Sequence, residues 1–139
     1  MDIFATRREK LIKELMQEPV DAVLIKHPSN LYYYTGFTGG EAMFLMPVNA
    51  DIMSTYALEL AGISNDSQAI TNDWPDGYVI TDSRYYEQVE KECAGLTLVK
   101  WEKKGMAETI QELMVEDKKI HIVLEDDMNL AQYMKLTQV

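Results

Sequence analysis

The chain has 139 residues, 47% of them hydrophobic, and a formal net charge of −10. This length fits one domain, and this apolar content suffices for a hydrophobic core, which argues against an intrinsically disordered chain. The acidic balance disfavours nucleic acid and anionic membranes as partners, and no segment is long and apolar enough to span a bilayer.

Cys93 is the single cysteine of the sequence, so no internal disulfide is expected. This fits a reducing, cytoplasmic setting. Cys93 lies within a predicted helix, where we expect it to be a small packing residue. The N-terminus lacks a cationic start followed by an apolar run, so the sequence predicts no signal peptide.

The first half of the chain alternates helical and strand patterns. Residues 4–18 repeat apolar side chains at helical spacing, and Pro19 helps to end this helix. A short buried strand is predicted over residues 21–26. Residues 28–30 form a predicted turn that can start a helical turn through the tyrosines, and residues 41–46 form the next strand.

The middle of the chain is less regular. Residues 52–60 predict a short helix, with Ile52, Tyr56 and Leu60 on one face. Residues 62–77 are rich in Ser, Asn, Asp and Gly, which is typical of a loop.

Residues 77–81 predict a strand, and Asp82 is a favourable N-cap for the helix that follows. In that helix, Tyr85, Val89 and Ala94 are expected to face the core.

The second half continues the alternation. The predicted elements are a strand at 96–101, a helix at 106–115, a strand at 118–125 and a helix at 126–136. Alternating strands and helices predict an α/β layered sheet.

Two tyrosine-containing segments stand out from this pattern. Asn30 to Gly40 reads Asn-Leu-Tyr-Tyr-Tyr-Thr-Gly-Phe-Thr-Gly-Gly, and Ile80 to Gln88 reads Ile-Thr-Asp-Ser-Arg-Tyr-Tyr-Glu-Gln. Glycine allows sharp turns and close backbone approach, and tyrosine suits interfaces and pocket edges. The alternative is that the rings simply pack in the core.

Together the two segments resemble signature blocks of the N-terminal domain of the creatinase, prolidase and aminopeptidase P family. The first resembles Asn-x-x-Tyr-x-Thr-Gly-Phe, and the second resembles Thr-Asp-x-Arg-Tyr. The resemblance implies a three-layer α/β/α fold with a mixed sheet, a ribonuclease H-like creatinase/prolidase N-terminal domain. Residues 1–139 then form a single domain, with an atypical insertion at about 48–77.

The resemblance also assigns positions. We expect Tyr34, Phe37 and Arg84 to lie nearest a substrate cleft or a partner domain. The expected structural positions of the blocks are Asn30, Tyr32, Gly36, Asp82 and Tyr85. From its chemistry alone, Arg84 has two open roles, a salt bridge or capping contact, or the anchoring of a carboxylate or carbonyl from a neighbouring domain through its planar fork.

The sequence shows no catalytic motif of its own. Glu125-Asp126-Asp127 is the densest acidic cluster, and at a predicted helix start it is mostly a capping signal. His-Glu-x-x-His, Cys-x-x-Cys and Gly-x-Ser-x-Gly do not occur. No cofactor is therefore expected in this chain.

The resemblance implies where the chemistry lies. In the family a C-terminal pita-bread domain, absent from this sequence, carries two divalent metal ions (Mn, Co or Zn) and cleaves peptides next to proline. The expected partners are that catalytic domain, a second copy in a homodimer and a peptide substrate. The alternative is a stand-alone peptide- or protein-interaction module, catalytically dead, in which the tyrosine segment and the insertion form the binding face.

Overall fold

The computed structural model describes residues 2–62, 76–101, 105–116 and 119–124. Helices and strands alternate along the chain as the sequence predicts. The elements are α1 (Ile3–Leu15), β1 (Ala22–Ile25), α2 (Pro28–Thr35), β2 (Ala42–Pro47), α3 (Thr55–Leu60), β3 (Tyr78–Thr81), α4 (Tyr86–Glu92), β4 (Thr97–Lys100), α5 (Met106–Glu112) and β5 (Ile122–Leu124). Two short 3₁₀ helices, Ala50–Ile52 and Ser83–Tyr85, precede α3 and α4.

The five described strands form one mixed sheet in the order β4-β3-β2-β1-β5. β2 is antiparallel to both of its neighbours, whereas β1 pairs with β5 and β3 pairs with β4 in parallel. Consequently β1, β3, β4 and β5 finish at the same end of the sheet, where β2 begins. We call this the carboxyl end of the sheet.

Each face of the sheet carries its own hydrophobic core. Side chains alternate between the two faces along a strand, so Tyr78 and Ile80 enter one core and Val79 enters the other. The first core contains Ala57 of α3 and Ile110 of α5, and helices α1, α2 and α4 cover the second. The sequence-based prediction of an α/β/α arrangement with a mixed sheet is confirmed.

Local chemistry explains several helix ends. Asp2 caps α1 by accepting a hydrogen bond from the Phe4 amide at 2.9 Å. Ser54 caps α3 in the same way, through the Ala57 amide at 3.1 Å. α1 ends at Leu15 rather than at residue 18.

Two predictions about helix faces were wrong. Ile52 does not share a helix face with Tyr56 and Leu60, because it is buried in the preceding 3₁₀ helix, whereas Tyr56 and Leu60 are exposed on α3. α3 itself buries Ala57. Ala94 is also exposed, because the helix stops at Glu92 and the chain turns away in a positive-φ conformation at Gly95.

The described part of the predicted insertion is integrated in the fold. Ile52 is buried in the core beneath α3 and α5. Its carbonyl accepts a hydrogen bond from the Val115 amide at 2.7 Å, and the Ser54 hydroxyl donates to the Glu112 carbonyl at 2.6 Å. Residues 50–62 therefore contribute to one helical layer, and the status of the segment as an insertion stays a prediction.

Two predicted features lie outside the described residues. They are the helix at 126–136 and the acidic cluster Glu125-Asp126-Asp127. Most of the predicted loop at 62–77 also lies outside the described residues. None of the helices in the described ranges has the length and apolar character needed to cross a membrane.

Candidate functional site at the carboxyl end of the sheet

The two tyrosine-containing segments meet at the carboxyl end of the sheet. The Thr81 hydroxyl, at the end of β3, donates to the carbonyl of Glu41 at 2.6 Å. Arg84 Nη2 donates to the Glu41 carboxylate at 3.0 Å. Antiparallel pairing of β2 with β3 causes this meeting, because it places Ala42 opposite Thr81.

Arg84 is held by carboxylates on two sides and still faces solvent. Its Nε donates to Asp82 Oδ1 at 2.9 Å and its Nη2 donates to Asp82 Oδ2 at 2.7 Å, while Glu41 accepts from the same Nη2. The guanidinium carbon lies 5.1 Å from the centre of the Tyr85 ring. The side chain of Arg84 is 59% exposed. Arg84 therefore forms salt bridges within the domain, and its guanidinium is still accessible to a ligand or a neighbouring domain.

Asp82 is both helix cap and counter-ion. One carboxylate oxygen, Oδ1, accepts from the Arg84 amide at 3.0 Å and caps the 3₁₀ helix. The side-chain hydrogen bonds from Arg84 lower the pKa of Asp82. The sequence-based prediction of an N-cap at this position is confirmed.

Phe37 lies behind the hydrogen-bonded side chains of Arg84, Asp82 and Glu41, which we call the Arg84 network. Its side chain is only 2% exposed and packs edge-on against Tyr85, with ring centroids 5.8 Å apart. The Tyr85 hydroxyl in turn lies 2.9 Å from where a Cβ on Gly40 would stand. Phe37 thus touches the Arg84 network through Tyr85, and its proximity to a substrate or partner stays a prediction.

Tyr34 belongs to a second cluster, on α2 and α1. Its ring lies edge-on to Tyr33 at 4.9 Å, and its carbonyl accepts from the buried Arg8 at 2.7 Å. Partial burial raises the pKa of Tyr34. The guanidinium of Arg7 covers the Tyr33 ring at 4.1 Å, and Phe4 packs edge-on against Tyr32 at 5.5 Å.

The register of the first block needs one correction. Counted from Asn30, the tyrosine of Asn-x-x-Tyr-x-Thr-Gly-Phe is Tyr33, not Tyr32 or Tyr34. The run of three tyrosines hides this register in the sequence. In the structure, Tyr33 is the tyrosine of the three that carries Arg7 on its face.

A cavity of about 400 Å³ opens at the same end of the sheet. In open α/β sheets, ligands bind outside the carboxyl ends of strands, and pockets of this size accept small ligands. Its walls are mainly apolar with two charged side chains. The lining residues are Lys26, Pro28, Gly40, Glu41, Ala42, Met43 and Trp101.

Sequence reasoning assigned none of these lining residues to a site, although two of them carried a signal. Lys26 follows β1 and Trp101 follows β4. Their position as the last residues of two predicted strands was the available signal, since parallel strands finish together. Within the described residues, no three His, Cys, Asp or Glu side chains are grouped so that they could hold a metal ion.

The Asp82–Arg84 contact gives a testable titration. In Arg84→Gln the pKa of Asp82 should rise towards the ordinary value of about 4, because the ionised donor is lost. Since the native pKa is lowered, the contact stabilises the fold above the unfolded pKa of Asp82, and this stabilisation is lost as the pH falls through the folded pKa. Carboxyl-carbon NMR across pH 2–6, roughly the ordinary aspartate range, measures the titration midpoint of Asp82 in the native protein and in Arg84→Gln. Equal midpoints would show that Arg84 does not lower the pKa of Asp82.

The comparison with protein families agrees with this geometry. The family model described as the creatinase/prolidase N-terminal domain matches residues 7–71, which include the first signature block and β2. The chain is thus similar to this family over slightly less than half of its length. The resemblance seen in the sequence is therefore confirmed. None of the curated proteins matches the sequence.

Solved structures share the fold of this chain. One is the N-terminal creatinase/prolidase-like domain of a protein assigned as a metallopeptidase from Corynebacterium diphtheriae, with a TM-score of 0.64, 19% identity, and coverage of 96% of this chain and 85% of that chain. A second is the aminopeptidase P of Streptococcus thermophilus, with a TM-score of 0.62, 22% identity, and coverage of 95% and 82%.

A longer relative by fold is the prolidase of Pyrococcus horikoshii. It matches with a TM-score of 0.63 and 17% identity, over 94% of this chain but 29% of that chain. The chain described above thus corresponds to less than a third of that prolidase.

Proposed function

We propose that this chain is the non-catalytic N-terminal domain of an Xaa-Pro dipeptidase or aminopeptidase, a parent enzyme that hydrolyses peptides next to proline. The observation that carries the proposal is the convergence of both signature blocks on one end of the sheet, where Phe37 of the first block packs edge-on against Tyr85 of the second. The family match over residues 7–71 supports the same assignment.

The direction of β5 adds support. β5 is parallel to β1, so Leu124 lies at the carboxyl end of the sheet, the same end as the cavity and the Arg84 network. A catalytic domain attached after this strand would be joined at the end that carries the signature residues. The domain then walls a substrate cleft whose reaction centre lies in the partner domain.

In this proposal the domain contributes shape and recognition. The guanidinium of Arg84, fixed by Asp82 and Glu41, offers exposed N–H donors to a carbonyl or carboxylate of the peptide. The cavity beside it accepts an apolar side chain. Two divalent metal ions in the catalytic domain would activate the attacking water. A homodimer in the cytoplasm completes the proposal, and the buried, unpaired thiol of Cys93 is compatible with a reducing compartment.

The second candidate is a stand-alone peptide- or protein-interaction module. The exposed rings of Tyr32 and Tyr33 favour it, because Arg7 holds Tyr33 in a fixed orientation on the surface. Rigid aromatic side chains of this kind are enriched at protein interfaces.

The reading frame beyond Val139 separates the two candidates. A frame that continues into Asp, His and Glu metal-ligand motifs supports the peptidase, and a stop codon supports the module. We expect the 139-residue chain with Mn²⁺ and Ala-Pro to release no proline, whereas the full gene product releases it. Turnover by the 139-residue chain alone would contradict its non-catalytic role.

A further inference from the structure

The loop that joins α2 to β2 is fastened to a helix far away in the sequence. The Thr38 amide donates to Glu92 Oε1 at 2.9 Å, and the Thr38 hydroxyl donates to Glu92 Oε2 at 2.7 Å. Both carboxylate oxygens of one side chain at the end of α4 thus hold one residue of the loop. Hydrogen bonds to an ionised acceptor are roughly twice as strong as neutral ones.

Gln88, one turn earlier on α4, closes the arrangement. Its Nε2 donates to the Thr38 hydroxyl oxygen at 2.8 Å and to Glu92 Oε1 at 3.1 Å. The Thr38 hydroxyl therefore accepts from one side chain and donates to the other, which defines its orientation. We call Thr38, Gln88 and Glu92 the clasp.

The loop lies tightly against its surroundings on both sides of Thr38. A Cβ on Gly36 would stand 3.2 Å from the Glu92 carbonyl, and one on Gly39 would stand 2.2 Å from the Phe37 ring. A Cβ on Gly40 would stand 2.9 Å from the Tyr85 hydroxyl. The loop thus has little freedom to adopt another path while the clasp is closed.

The loop leads directly into the candidate site. Gly40 and Glu41 line the cavity at the carboxyl end of the sheet, and Glu41 is the second carboxylate on Arg84. Thr38 lies three residues before Glu41, so the clasp constrains the loop that leads to this carboxylate.

We propose that Glu92 is a positioning residue, which holds the loop from Gly36 to Glu41 where it shapes the cavity and meets Arg84, so that ligand binding at this end of the sheet depends on it. Glu92 lies outside both signature blocks. The nature of the ligand, an Xaa-Pro peptide, rests on the proposed function, whereas the dependence of the loop on Glu92 does not.

The clasp uses both oxygens of the Glu92 carboxylate as acceptors. Burial alone would raise the pKa of Glu92, but the hydrogen bonds from Thr38 and Gln88 outweigh it and lower the pKa. Glu92→Gln keeps the size of the side chain but replaces one acceptor oxygen with a donor group. The new amide N–H group would face the Thr38 hydroxyl or the Thr38 amide. Each of these groups donates a hydrogen bond to Glu92 in the native protein.

The first test uses the 139-residue chain and NMR. In Glu92→Gln, hydrogen exchange of the Thr38 amide should accelerate on the order of tenfold or more, as expected when a local hydrogen bond is lost without global unfolding. The amides of Gly39 to Glu41 and the Arg84 Nε resonance should shift. Glu90→Gln, the same change at an exposed position of α4, is the matched control and should leave these signals unchanged.

Two further variants separate positioning from general stability. Thr38→Ser keeps the hydroxyl and should retain slow exchange at residue 38, whereas Thr38→Val loses it and should shift Glu41 and Arg84 as Glu92→Gln does. An unchanged loop in Glu92→Gln overturns the proposal. Uniformly faster exchange across the whole domain also overturns it, since Glu92 would then serve global stability.

The second test uses the full gene product. Glu92→Gln should raise the KM for Ala-Pro several-fold with little change in kcat, because the domain shapes binding and not the chemical step. An unchanged KM in an active peptidase overturns the proposal. If the gene product has no peptidase activity, the proposed function fails, and the NMR experiment still decides whether Glu92 positions the loop.

Discussion

Phe37→Ala should lower the free energy of unfolding by about 3–5 kcal/mol, the usual cost of removing a buried aromatic ring. Phe37 is 2% exposed and belongs to the core between the sheet and helices α1, α2 and α4. Its loss would leave a cavity against Tyr85 and Val89. Urea denaturation followed by far-UV circular dichroism measures the change, and Phe37→Leu should cost less because it keeps most of the apolar bulk.

Tyr33→Ala is the matched control for this prediction. Tyr33 lies in the same signature block but is 46% exposed, so its removal should cost well under the value for Phe37, about 1 kcal/mol or less. Should Phe37→Ala leave the stability unchanged, the ring would not be a core residue in solution, and a direct role at the cleft surface would be favoured instead.

Most of the fold could be predicted from short-range patterns. The run Ala22 to Ile25 is fully buried, and its β-branched, apolar character predicts a strand covered on both faces. Asp82 as an N-cap depends on residues two positions apart, so the sequence contains all of the information that this contact needs. Patterns of this kind decide the element order and, through alternation, the α/β class.

Contacts distant in sequence explain what could not be predicted. The exposed face of α3 follows from how Ser54 and Tyr78 dock it, since the buried Tyr78 hydroxyl donates to the Ala57 carbonyl at 2.9 Å. Burial also raises the pKa of Tyr78 to about 12. No local periodicity in a helix of six residues encodes this docking.

The same reason limits the prediction of the site. The sequence places Asp82 beside Arg84, but the second carboxylate, Glu41, comes from 43 residues away through the antiparallel pairing of β2 and β3. Thr38 and Glu92 are separated by 54 residues and belong to no common motif. The sequence analysis therefore named Arg84 and Asp82, but it missed Glu41 and the residues that hold the loop.

Gly36 allows the close approach on which this loop depends. It ends α2 in a left-handed conformation, with φ of 81°, and its amide donates to the Tyr32 carbonyl at 2.9 Å. An added Cβ would stand 2.9 Å from the Phe4 ring and 3.2 Å from the Glu92 carbonyl. The ring can rotate away, but the carbonyl belongs to the backbone of α4 and cannot move alone.

Gly36→Ala should therefore destabilise the domain more than Gly62→Ala. Gly62 follows α3 with a φ of 74° and has nothing within 4 Å of an added Cβ, so its replacement measures the backbone cost alone, about 1–2 kcal/mol. Gly36→Ala pays the same backbone cost plus overpacking, typically about 1–3 kcal/mol more. Urea denaturation of both variants gives the difference. Equal losses of unfolding free energy in the two variants would show that α4 shifts to accommodate the added methyl group. Hydrogen exchange at the Thr38 amide would then report whether the loop moved with α4.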